Sequence, residues 1–232
     1  MKIETVELAG LRTRIYGPAD AKVTVVLLHG FGAGGDDLVP LGQYMGAPAA
    51  RYVFPAAPLE LGGLYGDSRA WWLIDLMKLE HDLRTGNVRD RRAEVPEGLP
   101  EVRAQVSRFL DALEERYAIT DADIILGGFS QGAMLSLDVA LHRDTPPAAL
   151  VLMSGTLLAE DEWTPRMKKL AGVPIVQSHG TVDPLLPFFI AEMLRDKLVE
   201  AGAQVEFVPF QDGHAIPPNV LAAVGKLVRA RA

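Results

Sequence analysis

Strand-like and helical patterns alternate along the second half of the chain, and this alternation restricts the fold more than any other feature. Four strand–helix pairs are predicted, at 123–126 and 131–142, 148–153 and 164–171, 173–178 and 187–201, and 204–208 and 218–231. Repeated β–α units build a mainly parallel sheet with helices on both faces, so an α/β fold is expected. Ligands of such sheets bind at the carboxyl ends of the strands.

The first half of the chain supplies further elements. Strands are predicted at 3–8, 11–16, 23–28 and 51–54, and a helix is predicted at 99–117 from the spacing of its apolar side chains. The run at 23–28 is almost continuously apolar, which is typical of a strand that is buried on both faces.

Residues 55–98 follow neither pattern. They combine a stretch rich in proline and glycine, an aromatic pair at Trp71 and Trp72, and a mixed-charge run at 78–94. A long connection inside a compact domain is usually functional or mobile. We therefore interpret 55–98 as a pocket-forming excursion within a single domain that spans residues 1–232.

Composition excludes several classes of function. The formal net charge of -7 and the pI of about 5.3 argue against a nucleic acid partner, because binding to phosphates favours a basic surface. The chain has no cysteine, so disulfides, thiolate metal sites and cysteine nucleophiles are excluded. The first residues lack the apolar core of a signal peptide, and no apolar run could span a bilayer. We expect a cytoplasmic protein without stable membrane insertion.

Gly128-Phe129-Ser130-Gln131-Gly132 matches the pattern G-x-S-x-G. A predicted strand runs directly into this motif, and a predicted helix follows it. A tight strand-to-helix turn would expose the Ser130 hydroxyl, and the first N–H groups of the helix would favour a developing anion. This context predicts an α/β-hydrolase fold with Ser130 as its nucleophile.

A serine nucleophile needs a base, and in this fold the order along the chain is Ser, then Asp or Glu, then His. His214 follows the last predicted strand and is the expected base, whereas His179 directly ends a strand. Asp183 is the only carboxylate in the loop at 179–187 and is the expected acid. Asp212 is the main rival, but its closeness in sequence to His214 argues against it.

The oxyanion of the tetrahedral intermediate needs two N–H donors. One is the backbone N–H of Gln131, which follows the nucleophile. The other is expected from the glycine-rich loop that begins at His29, where Phe31 is the predicted donor. His29 itself is interpreted as a structural histidine.

Taken together, these motifs resemble the phospholipase/carboxylesterase family, which includes the acyl-protein thioesterases. The resemblance lies in residues 29–32, 127–132, 153–155, 179–187 and 213–214. It implies that Ser130, Asp183 and His214 form a catalytic triad, that Phe31 and Gln131 donate to the oxyanion, and that no cofactor or metal is needed.

Residues 71–75 depart from the family pattern in a stretch that walls the acyl pocket of relatives. The residues predicted to bind substrate are Trp71, Trp72, Leu73, Leu185 and Leu186.

The expected function is a serine carboxylesterase that acts on short- to medium-chain esters. An acyl-protein thioesterase or a lysophospholipase is the alternative within enzymes. A non-catalytic relative that binds a small ligand is the alternative of another class. The expected partner is a small-molecule ester or thioester, and the sequence leaves a homodimer open.

Overall fold

The computed structural model describes residues 2–62, 66–86 and 90–232. Within these residues one eight-stranded sheet has the order β1-β2-β4-β3-β7-β8-β9-β10. Its strands are β1 (Glu4–Leu8), β2 (Leu11–Tyr16), β3 (Thr24–Leu28), β4 (Arg51–Pro55), β7 (Ile124–Phe129), β8 (Ala149–Met153), β9 (Pro174–Gly180) and β10 (Gln204–Phe210). A separate antiparallel pair consists of β5 (Leu59–Glu60) and β6 (Arg69–Ala70).

The direction of the strands determines which edge of the sheet is expected to bind a ligand. The strands from β4 to β10 in the sheet order run parallel, and β2 pairs antiparallel with both β1 and β4. The chain leaves β3 towards β4 on one side and later returns on the other side as β7. The carboxyl ends of β3 and β7 therefore flank the point where the strand order reverses, which is where ligands of such sheets bind.

Helices cover both faces of the sheet, as the strand–helix alternation predicts. They are α1 (Leu41–Tyr44), α2 (Leu76–Thr85), α3 (Leu99–Tyr117), α4 (Gln131–His142), α5 (Glu160–Trp163), α6 (Phe188–Glu200) and α7 (Pro218–Arg229). Alternate residues of β3 enter two separate cores. Val26 and Leu28 belong to the core that contains apolar residues of α3, α4 and α6, whereas Val25 and Leu27 belong to the core that contains those of α7. The α/β-hydrolase fold expected from the sequence is thus confirmed.

One predicted helix is wrong in type. The segment predicted as a helix at 164–171 is a 3-10 helix at Thr164–Leu170, which continues from α5. Pro165 has no N–H to donate to the carbonyl group four residues earlier, so the α-helical hydrogen bonding stops there and the tighter winding replaces it.

The segment at 55–98 contains structure that its composition did not predict. The pair β5–β6 and the helix α2 lie within it, and the Asp75 side chain caps α2 by accepting a hydrogen bond from the Lys78 N–H at 2.9 Å. Leu76, Leu79 and Leu83 lie at helical spacing on α2, but no residue of this short helix is buried and it stands within a mixed-charge run. Residues 63–65 and 87–89 of this segment lie outside the described residues.

No helix of the described ranges is long and apolar enough to cross a membrane.

A buried carboxylate joins three elements on one face of the sheet. Asp138 of α4 is fully buried and accepts two hydrogen bonds from Arg103 of α3, at 2.5 Å from Nε and 2.9 Å from Nη2. The indole Nε1 of Trp163 in α5 also donates to Asp138, at 2.8 Å. Because a buried charge needs this number of partners, the cluster fixes α3 and α5 against the helix that follows Ser130.

Removing this charge is expected to destabilise the protein strongly. In Asp138→Asn the Arg103 guanidinium loses its closest charge partner and keeps only Glu162, at 3.4 Å, so urea denaturation should show a loss of about 3 kcal/mol in the free energy of unfolding. Asp111→Asn is the matched control, because Asp111 of α3 is exposed and pairs with Arg143 at 2.7 Å. Because the Asp111 carboxylate is exposed and Arg143 keeps Glu114 and Asp121 as partners, Asp111→Asn is expected to cost about 1 kcal/mol or less, so equal losses in the two variants would contradict the prediction.

Candidate active site

Ser130 occupies a strained turn between β7 and α4. Its φ of 55° lies in the left-handed region that side chains disfavour. The Ser130 N–H donates to the Met153 carbonyl of β8 at 2.8 Å, which ties the turn to the neighbouring strand. The turn lifts the side chain out of the sheet at its carboxyl edge, as the G-x-S-x-G motif predicts.

The glycines beside Ser130 are required by a close approach to β3. A Cβ atom at Gly128 would lie 2.3 Å from the Leu28 carbonyl oxygen, and one at Gly132 would lie 2.0 Å from the same atom. No side chain fits at either position. The turn and the first residues of α4 therefore pack directly against the end of β3, where the glycine-rich loop begins.

That loop lies beside the nucleophile. A Cβ atom at Gly30 would be 3.4 Å from Cβ of Ser130 and 3.2 Å from the Phe129 ring. In the part of the chain that the structure describes, the backbone N–H groups of Phe31 and Gln131 donate to no protein acceptor. Two backbone donors next to Ser130 are thus open to an anionic oxygen of a ligand.

His29 has a structural role in this loop. Its ring is buried, Nε2 accepts from the Ala57 N–H at 2.9 Å, and Nδ1 therefore carries the proton that faces the Gly30 carbonyl at 2.8 Å. Burial lowers the pKa of His29, which favours the neutral ring that this pattern requires. Trp71 Nε1 donates to the His29 carbonyl at 2.9 Å and fixes the loop from the other side.

Asp183 and His214, the expected acid and base, are joined by a hydrogen bond. The distance from His214 Nδ1 to Asp183 Oδ2 is 2.7 Å, and the Asp183 side chain is fully buried. Asp183 Oδ1 accepts from the backbone N–H groups of Leu185 and Leu186, at 2.8 and 3.0 Å. Burial alone would raise the pKa of Asp183, but the hydrogen bond and charge of His214 and these N–H groups outweigh it and hold the pKa below its usual value.

His214 is brought to the edge of the pocket by its loop. Its ring lies against the Phe129 ring, with 4.7 Å between the centroids, so it sits next to the turn that carries Ser130. The Ser154 hydroxyl donates to the Ala215 carbonyl at 3.1 Å and anchors the loop to the end of β8. Ser154 also has a positive φ of 49°.

The anchoring by Ser154 was not predicted as a role. The sequence shows Ser154 only as part of the family motif at 153–155. A hydrogen bond from its hydroxyl to a carbonyl group 61 positions away leaves no local pattern in the sequence. Asp212, the rival acid, accepts from the N–H of its neighbour Gly213 at 2.7 Å. His214 Nδ1 is bonded to Asp183 instead.

Ser130 and His214 open onto one pocket of about 180 Å³. Most of its lining side chains are apolar. The lining residues are Gly30, Phe31, Trp72, Ile74, Leu79, Arg91, Pro96, Phe129, Ser130, Gln131, Met134, Thr156, Leu158, Leu185, Leu186 and His214. A cavity of this character suits an apolar group next to the nucleophile.

The five predicted substrate-binding residues fall in different places. Trp72, Leu185 and Leu186 line the pocket. Trp71 is instead packed in the core, and Leu73 is 69% exposed and lies outside the lining. Adjacent side chains in this irregular segment point in different directions, so Trp72 alone of the three faces the cavity.

The Gln131 side chain joins the nucleophile turn to the pocket wall. Its Oε1 accepts from the Trp71 N–H and its Nε2 donates to the Trp72 carbonyl, both at 2.9 Å. Sequence reasoning assigned only the backbone N–H of Gln131. These two hydrogen bonds of the Gln131 side-chain amide hold Trp72 in place beside Ser130. Both are made to backbone atoms of Trp71 and Trp72, not to their side chains.

Comparison with known proteins gives the same picture. The family model for phospholipase/carboxylesterase matches residues 14–231. Acyl-protein thioesterase 1 of Candida albicans is 28% identical over 91% of this chain and 93% of that protein.

Solved structures agree. The crystal structure of esterase PE8 has a TM-score of 0.80 at 28% identity over the whole of both chains. A carboxylesterase from Mesorhizobium loti has a TM-score of 0.76 at 20% identity, over 98% of this chain and 99% of that one, and this likeness shows the shared fold. The match over almost the whole sequence places the chain in the phospholipase/carboxylesterase family of α/β-hydrolases.

Proposed function

We propose that the chain is a serine carboxylesterase that hydrolyses short- to medium-chain esters through an acyl-enzyme intermediate. The observation that carries the proposal is the 2.7 Å bond between Asp183 and His214, at a pocket that also contains Ser130 on its strained turn. A base oriented by a buried acid beside an exposed hydroxyl is the arrangement that activates a serine.

Acylation follows from the tautomer of His214. Because the Nδ1–H of His214 donates a hydrogen bond to Asp183, Nε2 holds a lone pair and accepts the proton of the Ser130 hydroxyl. Ser130 Oγ then bonds to the ester carbonyl carbon, and the carbonyl oxygen becomes an anion. The N–H groups of Phe31 and Gln131 stabilise this oxyanion. Asp183, ionised at neutral pH, stabilises the imidazolium that forms.

The intermediate collapses in the usual direction for acyl transfer. His214 protonates the leaving alcohol, the carbon–oxygen bond of the ester breaks, and the acyl group stays on Ser130. A water molecule then gives a proton to His214 and attacks the acyl carbon. His214 returns this proton to Ser130 Oγ as the bond between Oγ and the acyl carbon breaks, so the carboxylic acid leaves and the Ser130 hydroxyl is restored.

The pocket supports a preference for short to medium acyl chains. Its volume of about 180 Å³ and its mostly apolar lining suit a short or medium acyl group beside Ser130. The alternative of an acyl-protein thioesterase is favoured by the names of the curated relatives. The two activities share every residue of the mechanism and differ in the leaving group, so they are separated by substrate tests.

Loss of the nucleophile is expected to abolish turnover. In Ser130→Ala, kcat for p-nitrophenyl butyrate should fall at least about 10³-fold while the fold persists. Ser107→Ala is the matched control, because Ser107 lies on α3 outside the pocket lining. Turnover by Ser130→Ala within tenfold of the wild type would refute the assignment.

A fluorophosphonate probe separates the enzyme from a ligand-binding relative. The wild type should be labelled and Ser130→Ala should not, because labelling requires the activated hydroxyl. A wild-type protein that binds esters but resists the probe would support the non-catalytic alternative.

Acyl-chain selectivity should follow the size of the pocket. With p-nitrophenyl esters, kcat/KM is expected to be higher for short- and medium-chain acyl groups than for long-chain ones, since the apolar pocket beside Ser130 is small. Thioesters of the same acyl groups form the second arm of the measurement. Thioester turnover more than about tenfold faster than ester turnover would favour the thioesterase instead.

Asp183 is expected to make both catalysis and the pH dependence of stability sensitive to its substitution. Asp183→Asn should lower kcat by about 10³ to 10⁴-fold, because an amide stabilises neither the tautomer nor the cation of His214. Since the folded-state pKa of Asp183 lies below its unfolded value, the carboxylate stabilises the fold above about pH 4, and this contribution is lost as the pH falls through the folded-state pKa.

The difference in unfolding free energy between wild type and Asp183→Asn should therefore narrow on acidification from pH 7 to pH 2. Asp212→Asn serves as the control, because the bond that Asp212 makes is to the N–H of its own neighbour. A difference that is independent of pH would contradict the role of the ionised carboxylate.

A further inference from the structure

His179 is a buried histidine that the mechanism above does not use. It lies near the end of β9, and its side chain is completely shielded from solvent. Nδ1 lies 3.1 Å from the Gly155 carbonyl oxygen. Nε2 lies 2.9 Å from the Leu186 carbonyl oxygen and 3.3 Å from Asp183 Oδ2. Both ring nitrogens therefore face acceptors.

The three acceptors restrict where the ring proton sits. Burial lowers the pKa of His179 and favours the neutral ring, which has a single N–H to donate. Nε2 faces two acceptors, one of them a carboxylate, whereas Nδ1 faces one carbonyl. The proton is therefore assigned to Nε2, where it is shared between Leu186 and Asp183.

This assignment places the Asp183 carboxylate between two imidazole rings. His214 contacts Oδ2 at 2.7 Å from one side, and His179 contacts the same oxygen at 3.3 Å from the other. Oδ1 is held by the N–H groups of Leu185 and Leu186. The carboxylate cannot rotate towards His214 or away from it without breaking one of these contacts.

The same ring touches two further parts of the pocket. Leu186, whose carbonyl it binds, lines the cavity, and Gly155 directly precedes the lining residue Thr156. Phe188 of α6 packs beside the ring, with 6.2 Å between the centroids. The titratable groups near His179 are Asp183 and, through it, His214.

We infer that His179 is a positioning residue, which holds the Asp183 carboxylate and the Leu186 wall in the arrangement that His214 needs for catalysis. It does not touch the substrate. The inference rests on the proposed serine hydrolase function, because it acts through the acid of that mechanism.

Two amide variants separate the two ring nitrogens. The side-chain amide of His179→Gln can replace the Nε2 donor, whereas that of His179→Asn reaches only the Nδ1 position. His179→Asn is expected to lower kcat by up to about 100-fold, because the acid is misplaced, with little change in KM and a shift of the acid limb of the kcat/KM profile. His179→Gln should stay within about threefold of the wild type and keep the wild-type profile.

A double-mutant cycle tests whether the effect passes through the acid. In an Asp183→Ala background, His179→Asn should lower the residual kcat much less than it lowers the kcat of the wild type, because the carboxylate that it positions is gone and only the contact with Leu186 remains to be lost. Equal loss in both backgrounds, or wild-type kcat and pH profile in a folded His179→Asn protein, would overturn the inference.

A measurement on the unmodified protein needs neither folding of a variant nor turnover. Long-range ¹H–¹⁵N NMR of the histidine rings should show the Nε2–H tautomer of His179 at pH 7. The Nδ1–H tautomer would overturn the inference, because no proton would then lie between His179 and Asp183. Absence of hydrolysis and of fluorophosphonate labelling, with the Nε2–H tautomer present, would count instead against the proposed function.

Discussion

The left-handed turn at Ser130 depends on a backbone contact that permits no side chain. The Leu28 carbonyl of β3 lies so close to Gly128 and Gly132 that a single Cβ atom at either would collide with it. A non-glycine residue in such a conformation costs about 1–3 kcal/mol, and it persists because the flanking strands fix the turn from both sides. The register of β3, β7 and β8 therefore determines the position of the Ser130 nucleophile.

Several loops at this edge are held by hydrogen bonds between a side chain of one segment and the backbone of another. Trp71 holds the His29 carbonyl, Gln131 holds the backbone at Trp71 and Trp72, and Ser154 holds the Ala215 carbonyl. Asp183 binds the N–H groups that follow it in its own loop. Loops from distant parts of the sequence thus keep fixed relative positions, which a reaction at one carbonyl carbon requires.

The sequence predicted what depends on local pattern and on topology. Alternating strands and helices implied the parallel sheet, and the order of Ser130, Asp183 and His214 implied that their loops share an edge. It did not predict α2, whose residues are all at least partly exposed, or the 3-10 winding after Pro165. Nor could it tell that Trp72 faces the pocket while Trp71 faces the core, because the backbone at this point has no regular period.

The hydrogen bonds between the Gln131 side chain and the backbone of the excursion have an evolutionary consequence. Its amide contacts only an N–H and a carbonyl group, which every residue other than proline provides at both positions. Side chains of the excursion that face the cavity, such as Trp72 and Leu79, can therefore be substituted without loss of the hydrogen bonds that hold the turn beside them. The residues that recognise the substrate are thus separate from those that carry out the reaction. Enzymes with this architecture can therefore differ in substrate and retain a common reaction.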